Sequence, residues 1–143
     1  MQVASILAGK GHSVVTAKPG TSIPEIAQLL KSKKIGASVV LDDGGSVIGI
    51  ISERDLVHGL ARHGARLLEM TVGELMTRDV VSCGPEFDID EAMKVMTESR
   101  IRHIPVVDGA HLAGIVSIGD VVKHRLDELA DEADQLKRYI ATG

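Results

Sequence analysis

Ser52-Glu53-Arg54-Asp55 and Ser117-Ile118-Gly119-Asp120 each set a hydroxyl and a carboxylate three residues apart, directly after Gly-Ile-Ile or Gly-Ile-Val. An apolar run ending at a serine marks the step from strand into helix, so each carboxylate falls in a first helical turn. Free N–H groups and a partial positive charge at such a turn suit a phosphate. A carboxylate one turn in accepts hydrogen bonds from both hydroxyls of a ribose. That combination describes a nucleotide site. The same spacing also makes a capping box, in which serine and carboxylate satisfy the helix's own donors. Duplication weakens the capping interpretation without removing it, because duplicated caps look the same.

Other chemistry is thinly represented. Cys83, His103 and His111 are the residues that would converge on a metal, yet no Cys-x-x-Cys or His-x-x-x-His pair fixes two ligands locally. His58 and His63 are five apart, a poor helical pairing. Cys83 has no base at a fixed spacing and no serine sits in a Gly-x-Ser-x-Gly elbow, so nucleophilic catalysis has no machinery. Lys31, Lys33 and Lys34 read as a solvated helix end.

The elements that position the two tetrads occur twice. Val14-Val15-Thr16-Ala17-Lys18-Pro19 is matched 66 residues later by Val80-Val81-Ser82-Cys83-Gly84-Pro85, and the offset holds to Asp42 and Asp108. One extra residue in the first hairpin reduces it to 65, which carries Ser52 onto Ser117 and Asp55 onto Asp120. Each unit predicts strand, helix, strand, hairpin, strand, helix. The strands are Val14–Ala17, Ala37–Leu41 and Val47–Ile51, then Val80–Cys83, Ile104–Val107 and Leu112–Val116. Ser22 with Glu25, and Asp88 with Glu91, predict capping boxes for the first helix of each unit. Short helices carrying Val3, Ile6 and Leu7, and Val72, Leu75 and Met76, precede the two units. The link after the earlier one, through Gly9 and Gly11, is three residues longer. The last helix outruns its repeat: Val122, Leu126, Leu129, Ala133, Leu136 and Ile140 form a heptad-like stripe with charged flanks, which predicts a subunit contact.

Composition sets the bounds. The 143 residues are 44% apolar but nearly all aliphatic, with Phe87 and Tyr139 the only aromatics. A bound flat ring would therefore lie between aliphatic side chains and backbone. A net charge of −4 with interspersed signs gives no nucleic-acid footprint. The single cysteine excludes an internal disulfide and fits a reducing compartment. No signal peptide or membrane span is legible, so a cytoplasmic, membrane-free protein is expected, with only Ala141-Thr142-Gly143 outside ordered structure.

Two tandem β-α-β-β-α units, each ending in Gly-apolar-apolar-Ser-x-x-Asp, resemble a CBS-domain pair, also called a Bateman module. The likeness covers essentially the whole chain, and Ile101-Arg102-His103-Ile104-Pro105-Val106-Val107-Asp108 is close to the family's nucleotide-site strand. The resemblance implies an α+β fold of two CBS repeats about a pseudo-two-fold axis: residues 1–67 with the N-terminal helix, residues 68–126, and a C-terminal helix extension over 127–143. It implies adenosine ligands in the cleft between repeats, AMP foremost, with ATP, ADP, S-adenosylmethionine and NAD(H) as alternatives, and no metal. Carried over, Asp120 takes the ribose near Ser117, with Ser82, Cys83, Ile104 and Pro105 framing the adenine and Arg102 or His103 reaching phosphate. The first repeat offers Ser52 and Asp55, with Thr16, Ala17, Ser38 and Val39 around the base. It departs from the pattern at Gly36-Ala37, where no basic pair stands, and at Val39, where no Pro stands; Arg54 or Lys34 would supply charge. The second site is therefore expected to be the better one. The implied function is non-enzymatic: adenine-nucleotide sensing by a homodimer that acts through assembly or an unidentified target protein. The alternatives are a metal- or redox-responsive protein and a ligand-free dimerisation module.

Overall fold

A computed structural model describes residues 1–142. Helix α1 (Val3–Lys10) leads to strand β1 (Thr16–Ala17), helix α2 (Ile23–Lys33), strands β2 (Ala37–Leu41) and β3 (Val47–Ser52) and helix α3 (Glu53–His63). A 3₁₀ helix (Gly64–Glu69) and the single turn of α4 (Val72–Leu75) connect to the second unit. That unit comprises α5 (Ile89–Ser99), β4 (His103–Asp108), β5 (His111–Ser117) and α6 (Ile118–Thr142). The expected α+β repeat is present, and the strand ends extend one residue or so beyond the predicted runs. The first strand of each unit is shorter than predicted. Thr16 and Ala17 pair in parallel with Val39 and Val40, whereas the second unit keeps only a Cys83–Val106 bridge. The proline that closes each segment has no N–H to carry the ladder further.

Helix α2 begins as predicted at Ser22, whose side chain accepts the Glu25 N–H. At α5 the expected box with Glu91 is replaced by a bond one residue shorter in span, in which Asp88 accepts the Asp90 N–H. Both helices end on a non-glycine residue in the left-handed region, Lys34 at φ 56° and Arg100 at φ 54°. These two turns are equivalent at the 66-residue offset. Helix α6 runs through Thr142, so Ala141 and Thr142 are helical, and Gly143 lies outside the described residues.

There are two cores, and each is completed by an element from the other half of the sequence. Ile89, Ala92, Met96, Ile104, Val106, Val116 and Val121 enclose Val3, Ile6 and Leu7 of α1. Ala17, Ile23, Ile26, Leu30, Val40 and Ile51 enclose Leu67, Met70, Val72 and Met76. Backbone bonds repeat the exchange almost atom for atom. Val3 and Ala4 N–H donate to Phe87 and Pro85 carbonyls, as Val72 and Gly73 N–H donate to Thr21 and Pro19. A glycine makes room for the docking side chain in each sheet. A Cβ on Gly114 would stand 2.6 Å from Leu7, and one on Gly49 would stand 2.5 Å from Met76. Helix α1, first in the sequence, thus belongs to the second repeat's core.

Candidate functional site

Both tetrads stand at a strand-to-helix step and both close on themselves. Ser52 N–H donates to Asp55 Oδ2 at 2.9 Å while Asp55 N–H donates to Ser52 Oγ at 3.3 Å. Ser117 N–H donates to Asp120 Oδ2 at 2.8 Å and Asp120 N–H to Ser117 Oγ at 3.1 Å. The capping role is therefore real in both. Capping does not exhaust a carboxylate, which has about four lone-pair positions. What else meets the carboxylate differs between the halves. Asp55 Oδ1 accepts a hydrogen bond from the Thr77 hydroxyl at 3.1 Å. Asp120 instead holds the ammonium of Lys10 at 2.6 Å. Burial would raise the Asp120 carboxyl, but the Lys10 ammonium and the Ser117 donors outweigh it and hold the group below the usual carboxylate value.

A cleft of about 220 Å³ opens between the repeats. The first repeat contributes Gly36, Ile50, Ser52, Glu53, Arg54 and Asp55 to its walls. The second contributes Val80, Val81, Arg100, Ile101, Arg102, His103 and Pro105, with Thr77 and Asp79 from the segment between. Arg54 closes one end by donating from Nη1 to the Arg100 carbonyl at 2.7 Å. Three guanidiniums, the carboxylates of Glu53, Asp55 and Asp79, and a patch of valine, isoleucine and proline thus share one opening. The imidazole of His103 packs beside Gly36, where a Cβ would meet it at 3.1 Å. Burial first, and then the Lys10 ammonium, hold that imidazole below its ordinary value. His103 is accordingly a neutral donor–acceptor at physiological pH.

The sequence-derived sets are redistributed. Arg102, His103 and Pro105 do not share a cleft lining with Asp120; they line it with Ser52, Arg54 and Asp55 of the other repeat. The cause is the crossing of the halves, which faces the start of β4 toward the start of α3. Ser117, Asp120, Thr16, Ala17, Ser82 and Cys83 lie outside this lining. Ile104 is buried in the second core, and Ala17 in the first. Ser38 is buried with its hydroxyl donating to the Val15 carbonyl at 2.8 Å, so its side chain holds the first strand. Val39 is fully buried at the position equivalent to Pro105, which lines the cleft. Sequence reasoning missed Thr77, Asp79, Val80, Val81 and Arg100 as wall residues. It also missed Lys10, whose one signal was the longer link after α1.

Cys83 is half-buried, and burial pushes its thiol up to about 11. A protonated thiol is a poor nucleophile and a poor metal ligand. Among the described residues, no three His, Cys, Asp or Glu side chains converge in a way that could hold a metal ion. No helix among them is long and apolar enough to cross a membrane.

Comparison with known proteins agrees with this architecture. The family model for the CBS domain matches twice, over residues 10–62 and 72–127. The chain superposes with a TM-score of 0.84 on a CBS-domain-containing protein from Agrobacterium tumefaciens, at 48% identity over 87% of this chain and 92% of that one. It superposes with a TM-score of 0.79 on the CBS domain pair of a protein in complex with 5′-methylthioadenosine and S-adenosyl-L-methionine, at 28% identity over 90% and 98% of the two chains. A mitochondrial CBS domain-containing protein of Arabidopsis thaliana is 34% identical over 126 residues, which are 85% of this chain and 61% of that relative. The chain thus spans about three fifths of that relative's length. Two matched repeats, each carrying the Ser-x-x-Asp step and each completing the other's core, establish that the chain belongs to the CBS domain family as a tandem pair.

Proposed function

We propose that the chain is a non-enzymatic sensor of adenine nucleotides, and that AMP occupies the cleft on which Asp55 and Arg102 converge. The observation that carries this is the composition of that opening. A carboxylate at the start of α3, suited to ribose hydroxyls, shares it with the guanidiniums of Arg54, Arg100 and Arg102, which suit a phosphate. Val80, Val81 and Pro105 supply an aliphatic slot for the base in a chain almost without aromatics. The volume is below the roughly 300–1,000 Å³ usual for small-molecule sites, so base and ribose fill the cleft while the phosphate meets guanidinium at its mouth. The ligands of the superposed CBS pair support an adenosine-type ligand. Occupancy bridges the two repeats, and that is how it reaches assembly or a target protein. A reducing, cytoplasm-like compartment suits the lone thiol.

A structural module is the second possibility, favoured by the completeness of both capping boxes. Calorimetric titration separates the two. Asp55→Ala should weaken AMP and adenosine alike by about tenfold or more, the equivalent of charge-assisted hydrogen bonds worth about 1.5–3 kcal/mol. Arg102→Ala should weaken AMP far more than adenosine. A folded Asp55→Ala protein with unchanged affinity would leave the aspartate as a cap alone. Mass spectrometry of small molecules released from fresh wild-type protein identifies the nucleotide.

A further inference from the structure

The position of Lys10 becomes informative when the two halves are overlaid. In the first half, Thr77 lies against β3. Its N–H donates to the Ile50 carbonyl at 2.9 Å and its hydroxyl to Asp55 at 3.1 Å. In the second half, Ile115 takes the place of Ile50 and Asp120 that of Asp55, at the 65-residue offset. The carbonyl and the carboxylate are both met there by one group, which takes the cap-bonded oxygen of Asp120 rather than the other one. Lys10 Nζ donates to the Ile115 carbonyl at 2.8 Å and to Asp120 Oδ2 at 2.6 Å. The link behind it is tied to the same strand, since a ring nitrogen of His12 lies 2.9 Å from the Ala113 carbonyl. The three additional residues of this link let a side chain do what backbone and hydroxyl do in the other half.

The surroundings have changed in step. At the positions that the repeat relates to the Asp55 cleft, Gly119 stands in place of Arg54 and Gly36 in place of Arg102. Two of the three guanidiniums are thus lost, with Lys34 at the position of Arg100, while the carboxylate a ribose would need already holds a tethered cation. A ribose hydroxyl at Asp120 would meet a carboxylate already neutralised by the Lys10 ammonium, whereas Asp55 carries only the Thr77 hydroxyl and its own cap, with no cation on it.

We infer that Lys10 is a built-in occupant of the ligand position at Asp120, the counterpart of Asp55, neutralising that carboxylate so that each chain takes one nucleoside, at Asp55. This rests on the function proposed for the Asp55 cleft, and it assigns Asp120 to joining α1 and its link to the second repeat. Lys10 is then the residue that sets how many sites the pair offers.

The test is calorimetric titration of the full chain with adenosine, which needs no phosphate partner. Wild type should bind one adenosine per chain. Lys10→Met, which keeps the apolar stem and removes the charge, should bind two, with the second site tightened about tenfold or more relative to wild type. Lys10→Met combined with Asp55→Ala should retain a single site. Lys10→Gln, whose amide still reaches a carbonyl, replaces Lys10→Met if that variant does not fold. A wild type that already binds two overturns the inference. So does a folded lysine variant that binds only one, with Asp55→Ala abolishing it, although that result leaves the Asp55 cleft standing. No adenosine bound by any of the proteins overturns the Asp55 assignment and, with it, the second site.

Discussion

His103 shows how closely charge and burial are balanced between the repeats. Its ring packs against Gly36, with Lys10, Arg102, Asp120 and Glu53 all within electrostatic reach. Burial and the two cations disfavour the imidazolium, and they outweigh the two carboxylates. The folded protein therefore binds this proton less readily than the unfolded chain, whose imidazole has the ordinary value of 6.5. Stability from this group is complete above 6.5 and is lost as pH falls from there toward the lower folded-state value. Urea unfolding at roughly pH 7.5 and pH 5.5 should show wild type losing more stability on acidification than His103→Gln. Equal losses would mean that the ring titrates alike in both states. The same balance bears on binding, because a phosphate placed beside Arg102 adds negative charge near the ring and moves its proton affinity upward.

At the scale of elements, the exchange of short helices decides what holds the molecule together. Val3, Ile6 and Leu7 are at most 6% exposed although α1 has only eight residues. So short a helix is marginal alone and owes its stability to that apolar face. Leu7→Ala should cost about 2–5 kcal/mol, the range for truncating a fully buried leucine. Leu68→Ala, at a side chain 66% exposed, should stay within about 0.5 kcal/mol. Denaturant melts of the two variants check this, and equal midpoints would place α1 outside the cooperative unit. The repeat itself was legible because the proline-closed segment, the helices and the hairpin of one unit recur in the other at an offset of 66 and then 65 residues. Which core α1 joins was not, since Val3-x-x-Ile6-Leu7 and Val72-x-x-Leu75-Met76 present the same pattern and either sheet has a glycine to receive it. The resemblance to the family placed Asp120 with Arg102 in one repeat, whereas the folded repeats bring Arg102 to Asp55 across the cleft. Apart from the longer link after α1, Lys10 gave no signal, because an ion pair spanning 110 positions leaves no local pattern.

For the molecule as a whole, the open question is what covers α6. From Leu129 onward every described residue is exposed, so the helix projects beyond the second repeat as a free arm. Its apolar row is left uncovered, with Leu126 60% and Ile140 70% exposed. Val57 and Leu60 on α3 are likewise 64% and 59% exposed. At about 1.5 Å per residue the 25-residue helix is close to 37 Å long, so a row along it is too extended for one repeat-sized domain to hide. A patch of this kind on a monomer invites aggregation. A two-fold mate would bury the row against its own copy and leave Lys123, Asp127, Lys137 and Arg138 at the rim. We therefore expect a homodimer in which α6 supplies the seam, and Leu129→Glu with Leu136→Glu should give a soluble monomer. Sedimentation velocity of both proteins decides it. A wild type that stays monomeric at high concentration excludes the dimer. A double variant that remains dimeric assigns the interface to the repeats themselves, with Val57 and Leu60 of α3 the first residues to charge next.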